Sequence, residues 1–111
     1  MQFKNKYHNV KVVYDGIKFD SKKECKRYAE LKLLERTGLI TELSLQVRFE
    51  IVPKKNKNKR ARYYIADFVY KENGLQVIED VKSPITRNNP VYSLKKALVL
   101  VLYPQYDFRE V

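Results

Sequence analysis

The stretch from Tyr63 to Ser83, YYIADFVYKENGLQVIEDVKS, limits the fold more than any other part of the chain. Asn73-Gly74 is a strong two-residue hairpin signal, because both residue types accept positive φ and apolar, β-branched runs flank them. The pattern predicts two antiparallel strands, about Tyr63 to Tyr70 and Leu75 to Lys82. A two-residue loop also sets a register in which Glu72 faces Leu75 and, further out, Asp67 faces Asp80. Opposed side chains on one sheet face have Cβ atoms roughly 4.5–5.5 Å apart, so two carboxylates there repel. Something positive should sit between them. Lys82 shares the face of Asp80, and a divalent cation would offset the repulsion more fully, since hard cations favour oxygen ligands. A three-residue loop with a bulge at Gly74 would instead bring Glu79 opposite Asp67, although only Asp80 alternates onto the lysine's face.

The remaining elements follow from periodicity and caps. NVKVVYDGIKFDS reads as a hairpin around Asp15-Gly16. A helix from about Ser21 to Thr37 has Ser21 as N-cap, Glu24 at the capping-box position and Gly38 as its stop. In TELSLQVRFEIVP, Leu43, Leu45, Val47, Phe49 and Ile51 alternate with polar residues, which marks a half-buried strand. Residues 54–62, KKNKNKRAR, form a mobile, solvated loop. SPITRNNP, with its two prolines, reads as irregular. A helix from about Val91 to Leu102 ends before Pro104, although its Val-rich end also suits a strand, and QYDFREV closes as a short strand. The order is hairpin, helix, three strands, helix, strand, in one domain spanning residues 1–111.

Charge narrows the partners. Against 13 acidic residues stand 23 Lys and Arg, for a net charge of +10 and a pI near 9.7. Such a surplus attracts polyanions, and the counterions they release add to binding. Nucleic acid is the expected partner, with no basic amphipathic helix to favour a membrane. The N-terminal residues lack a signal-peptide core and no apolar run reaches the ~18 residues of a membrane span. These features suggest a soluble protein of the cytoplasm. The lone Cys25 has no disulfide partner and reads as a small core side chain. His8 has no metal-binding or catalytic companions nearby in sequence, and most of the nine tyrosines sit in apolar patterns that suit a core.

Several further residues are candidates for a site. On a 3.6-residue period Glu24 shares a stripe with Tyr28, Leu31 and Leu34, which would carry it toward the sheet; a capping box with Ser21 accounts for it equally well. Gln46 lies on the polar side of its strand and could reach a phosphate there. Lys54, Lys55, Lys57, Lys59, Arg60 and Arg62 suit contact with a phosphate backbone and carry no base code. Lys95 and Lys96 either flank a substrate groove or form a surface pair.

An acid on the first helix, Asp67 on the second core strand and the DVK run of Asp80 to Lys82 on the third, in αβββαβ order, resemble the PD-(D/E)XK nuclease superfamily. DGIKFDSKKECKRYAEL, LQVRFEIVP, ADFVY and VIEDVKS also resemble small phage and prophage proteins of that superfamily, from about Tyr7 to Val111. Ala66 stands where the motif has proline. The resemblance implies a restriction-endonuclease-like α/β fold, an αβββαβ core with a mixed sheet flanked by helices, and an N-terminal hairpin. It further implies a Mg²⁺- or Mn²⁺-dependent DNA endonuclease of Holliday junction resolvase-like type, phage or prophage encoded and acting in a bacterial host. The catalytic set would be Glu24, Asp67, Asp80 and Lys82. The metal would take Asp67, Asp80, the Val81 carbonyl and Glu24, while the basic loop, Gln46 and Lys95 would hold branched or duplex DNA. Cutting two symmetric strands would call for a homodimer. A non-catalytic DNA-binding module on the same fold is the alternative, and RNA is a third partner the charge alone admits.

Overall fold

A computed structural model describes residues 11–111, so His8 and the first residues of the expected N-terminal hairpin lie outside the described part. The hairpin is formed by β1 (Val12–Tyr14) and β2 (Ile17–Phe19), with Asp15 and Gly16 both at positive φ, as a two-residue turn between right-twisting strands requires. Helix α1 (Lys22–Arg36) starts at Ser21, whose Oγ accepts the Glu24 amide at 3.1 Å. Three strands follow: β3 (Thr41–Val52), β4 (Arg62–Glu72) and β5 (Leu75–Asp80).

SPITRNNP, expected to be irregular, contains a short helix, α2 (Pro84–Arg87). Proline is tolerated at a first helical position because its missing N–H has no partner to lose there, and the Ser83 hydroxyl accepts the Thr86 amide at 3.2 Å. Helix α3 (Pro90–Leu102) likewise begins with proline, behind an Asn89 cap that accepts from the amides of Val91 and Tyr92. Strand β6 (Tyr106–Glu110) closes the order.

The sheet runs β3-β4-β5-β6, antiparallel except for the parallel β5/β6 pair. The fold is therefore mixed α/β, with a four-stranded mixed sheet between helices and a separate hairpin. Two apolar clusters flank the sheet. One gathers Tyr28 and Leu31 of α1 with Phe68, Tyr70 and Val77; the other gathers Tyr92 and Val99 of α3 with Phe49, Tyr64, Ala66 and Ile78. Cys25, expected in the core, is half-buried at the margin of the first cluster.

Besides irregularities near both its ends, the alternation of β3 is broken in its middle. Leu43 and Leu45 pack on the α1 cluster, whereas Val47, Phe49 and Ile51 pack on the α3 cluster. Between them Gln46 adopts φ 53°, a left-handed conformation that breaks the two-residue alternation of a strand. Across the ladder the same change occurs, with Tyr64 and Ala66 on one side and Phe68 and Tyr70 on the other. The ladder pairs Leu45 with Phe68 and Val47 with Ala66, skipping Gln46 and Asp67 between them. The sheet changes face at Asp67.

Candidate active site

The register of the β4/β5 hairpin brings the acids together. Glu72 pairs with Leu75 across Asn73 (φ 52°) and Gly74 (φ 79°), so the loop has two residues, and the last ladder pair is Phe68 with Glu79. One step further, Asp67 and Asp80 lie opposite each other where the strands part. There the carboxylates take over from the ladder. Asp80 Oδ1 accepts the Asp67 amide at 3.1 Å, and Asp67 Oδ2 accepts the Val81 amide at 2.9 Å. Val81 thus meets the site through its N–H. Both acids are buried, and Asp80 Oδ2 finds no hydrogen-bond partner among the described residues. A buried, unpartnered carboxylate oxygen is costly unless something else occupies its lone pairs.

Lys82 lies past the end of β5, which stops at Asp80 and not at Lys82 as the apolar run suggests. The parallel bonding to β6 continues one rung past the strand: Val111 donates to the Asp80 carbonyl at 2.8 Å and Lys82 donates to the Val111 carbonyl at 3.2 Å. The Lys82 ammonium remains in reach, 3.7 Å from Asp80 Oδ1 and 5.1 Å from the centroid of the Tyr92 ring. Burial pushes the Asp80 carboxyl up from its ordinary range, and Lys82 opposes that shift.

Glu24 sits at the capping-box position, yet its carboxyl meets the sheet. Burial first, then the charge of Asp67 and a hydrogen bond to it, push the Glu24 carboxyl up to about 7. Burial and a neighbouring carboxylate both disfavour the charged form of Glu24. Ser21 still caps α1, so both readings of Glu24 describe part of the arrangement.

The neighbouring acid behaves differently. Glu79 is fully buried and faces α1, where Arg27 grips it with Nε at 2.6 Å and Nη2 at 2.8 Å while the Tyr70 hydroxyl donates at 2.7 Å. Its oxygens are satisfied, and it shares no contact with Lys82. Sequence reasoning missed Arg27 as its partner, and its spacing to Glu30, a helical ion pair at 3.7 Å, gives no sign of the buried acid.

The donor set suits a hard cation. Asp67 and Asp80 offer oxygens from facing strands, one of them an orphan, and Mg²⁺ commonly uses one or two carboxylates with water completing its octahedron. Among the described residues no group of three or more His, Cys, Asp or Glu side chains converges to hold a metal. The arrangement fits an ion on two carboxylates and a water-rich shell, with Glu24 behind Asp67.

The remaining candidates lie around this centre. Gln46 is exposed and opposite Asp67 at the kink. Lys54, Lys55, Lys57, Lys59 and Arg60 are exposed on the loop between β3 and β4, where Asn56 and Lys59 close a turn, and Arg62, expected on that loop, is exposed as the first residue of β4. This loop walls a concavity of about 560 Å³ lined by Lys55, Lys59, Arg60 and Arg62. From Arg62 to Asp67 the strand runs five residues, roughly 17 Å at ~3.3 Å each, so the concavity is a cationic patch apart from the carboxylates. Lys95 is half-buried on α3, and Lys96 is held by Glu110 at 3.1 Å. Of the tyrosines, Tyr28, Tyr64, Tyr70 and Tyr92 are core, whereas Tyr14 is 48% exposed. No described helix is long and apolar enough to cross a membrane.

A family model described as "Protein of unknown function (DUF1064)" matches residues 4–110. The chain belongs to the DUF1064 family. Neither a curated protein nor a solved structure matches it. The matched span takes in the carboxylate pair, Lys82, the Arg27–Glu79 contact and the basic loop.

Proposed function

We propose that this DUF1064 protein is a metal-dependent DNA endonuclease of the PD-(D/E)XK kind, acting on duplex or branched DNA. The observation that carries the reading is the buried, partnerless Asp80 Oδ2 beside Asp67, with the Lys82 ammonium 3.7 Å from the other Asp80 oxygen. The αβββαβ order and the sequence resemblance support it, and the net charge of +10 supplies attraction for a polyanion.

A bound Mg²⁺ or Mn²⁺ would supply Lewis-acid polarisation of the phosphate and a water of lowered pKa. The protein's own groups do the rest. Asp67 and Asp80 hold the ion, each fixed by a backbone amide, so little reorganisation is needed when substrate arrives. Lys82 places positive charge where the phosphorane oxygens become more negative. Glu24, whose carboxyl is pushed up to about 7 by burial and by Asp67, would add a third carboxylate beside the ion. Exposed Gln46 and the basic loop line the approach and contact phosphates without reading bases.

The test is cleavage of labelled linear duplex, single-stranded and four-way DNA with Mg²⁺ or Mn²⁺, comparing wild type with Asp80→Asn and Lys82→Ala. Loss of cleavage in both, with salt-sensitive binding intact, is the expected result. Cleavage that survives Asp80→Asn removes the assigned site. A second reading, a non-catalytic DNA-binding module, draws on the lack of a three-ligand group among the described residues. It predicts binding of the same DNA, no cleavage with either metal, and carboxylate variants that bind as wild type does.

A further inference from the structure

Helix α3 has two apolar sides. Tyr92 and Val99 face the sheet and are buried. On the other side Val91 (64% exposed), Leu94 (63%), Val101 (75%) and Leu102 (48%) face solvent, with Leu98 half-buried between them. A helix on the surface of a sheet should be polar outward, and one that is apolar all round is normally covered on both sides. A contiguous apolar face of this kind, rimmed by lysines on a strongly basic protein, marks an interaction surface.

We infer that the outward face of α3 is a homodimer interface, packed against the same face of a second copy about a twofold axis. Val91, Leu94, Leu98 and Val101 follow a 3-4-3 spacing, the a/d seam of helices that pack side by side, and a twofold contact requires one self-complementary patch. The seam carries no charge to be matched by a different partner. Its exposed apolar side chains amount to roughly 500 Å² per copy, so pairing buries on the order of 1,000 Å² of apolar surface before the rim is added, which reaches the range of specific interfaces. This inference stands apart from the nuclease reading, since a dimer forms or fails to form whatever the carboxylates do.

Two basic copies repel each other, and added salt screens that repulsion without weakening apolar contact. Association should therefore strengthen from 50 to 500 mM NaCl, the opposite of nucleic acid binding. Sedimentation velocity of the full chain at about 50 μM and 300 mM NaCl should give twice the 13.3 kDa chain mass. Leu94→Glu with Val101→Glu should give a monomer with wild-type circular dichroism, whereas Leu33→Glu, at a site 60% exposed on α1, should leave the dimer intact. A second measurement does not depend on the charged variant folding: in a Cys25→Ser background, Leu98→Cys at mid-seam should form an intermolecular disulfide under mild oxidant and Leu33→Cys should not. A wild-type monomer at that concentration overturns the inference. So does a dimer that persists in the folded double variant or cross-links equally through position 33.

Discussion

Glu79 and Asp80 are consecutive residues of one strand, equally inaccessible to solvent, and the protein treats them in opposite ways. Glu79 faces α1 and receives three donors, two from Arg27 and one from Tyr70. Asp80 faces the gap where β4 and β5 separate; one oxygen accepts a backbone amide and sits near Lys82, and the other has no hydrogen-bond partner among the described residues. Alternation along a strand is what divides them, because neighbours point to opposite faces. The satisfied acid belongs to the architecture. The unsatisfied one is where the proposed function puts its cation, since a buried polar group left incomplete calls for an explanation.

The largest expected effect tests the Asp80 half of that contrast. Asp80→Asn keeps the shape and the hydrogen bond from the Asp67 amide while removing the charge that a cation needs. Metal-dependent cleavage should fall by ~10³-fold or more, as removal of one group that stabilises transition-state charge does. In metal-free buffer the same variant should unfold at the same urea midpoint as wild type or a higher one, because a buried charge with an incomplete set of partners has been neutralised. A large loss of stability would place Asp80 with Glu79 as an architectural residue.

Next comes the Glu79 half. Arg27→Ala leaves a buried carboxylate with the Tyr70 hydroxyl as its one remaining donor among the described residues, and breaking such a pair by removing the charged partner costs about 3–5 kcal/mol. Urea denaturation should show a loss of that size. Any residual cleavage by the folded fraction should have an unchanged metal dependence. A shifted metal requirement would mean that Glu79 and not Asp80 serves the cation.

A smaller effect is expected from Glu24, which is half-buried beside Asp67 and stands between the two cases. Its folded-state carboxyl titrates near 7, above the ordinary 4.5. A group so raised contributes stability that is fully present below the unfolded value and is lost as pH rises through the folded one. Metal-free protein should therefore lose a few degrees of Tm between pH 5 and pH 8, and Glu24→Gln should flatten that slope. Millimolar Mg²⁺ should restore Tm most strongly at the high end, where no proton competes with the ion. A slope that is identical in Glu24→Gln would assign the titration to another group.

How much of this was legible in the sequence differs by residue. Asn73-Gly74 declared a hairpin but left two registers open, Asp67 against Asp80 for a two-residue loop or against Glu79 for a bulged one; the Glu72–Leu75 pair selects the first. Ser21 bounded the first helix for the same local reason, whereas Asn89 and Pro90, read as part of an irregular stretch, turn out to cap and start α3. The left-handed Gln46 carried no such signal. The odd-numbered apolar residues of β3 alternate without a break in sequence, and only the presence of two helices on two faces shows that they serve different cores. Arg27 was equally silent, for a charged residue on a helix is ordinarily solvated and its bond to Glu79 spans 52 positions. Long-range pairing of this kind is a property of the packed sheet.

The finest test of the contrast removes one donor of three. Tyr70→Phe deletes the hydroxyl that bonds Glu79 Oε1 at 2.7 Å and leaves both contacts from Arg27 in place. Burial and the nearby Glu79 charge push the Tyr70 hydroxyl up to about 12, so it donates throughout the working pH range. A hydrogen bond to a charged acceptor contributes about 1.5–3 kcal/mol when its loss is not made good; here the bidentate guanidinium keeps Glu79 paired, and a loss of ~1 kcal/mol is expected. The chevron or urea midpoint should report that small change, with cleavage rates unaltered. If Tyr70→Phe instead matched Arg27→Ala in cost, the hydroxyl would be as important as the ion pair in keeping Glu79 charged. The difference between the two acids would then rest on how many donors each one has, and the sign of the nearest charge would matter less.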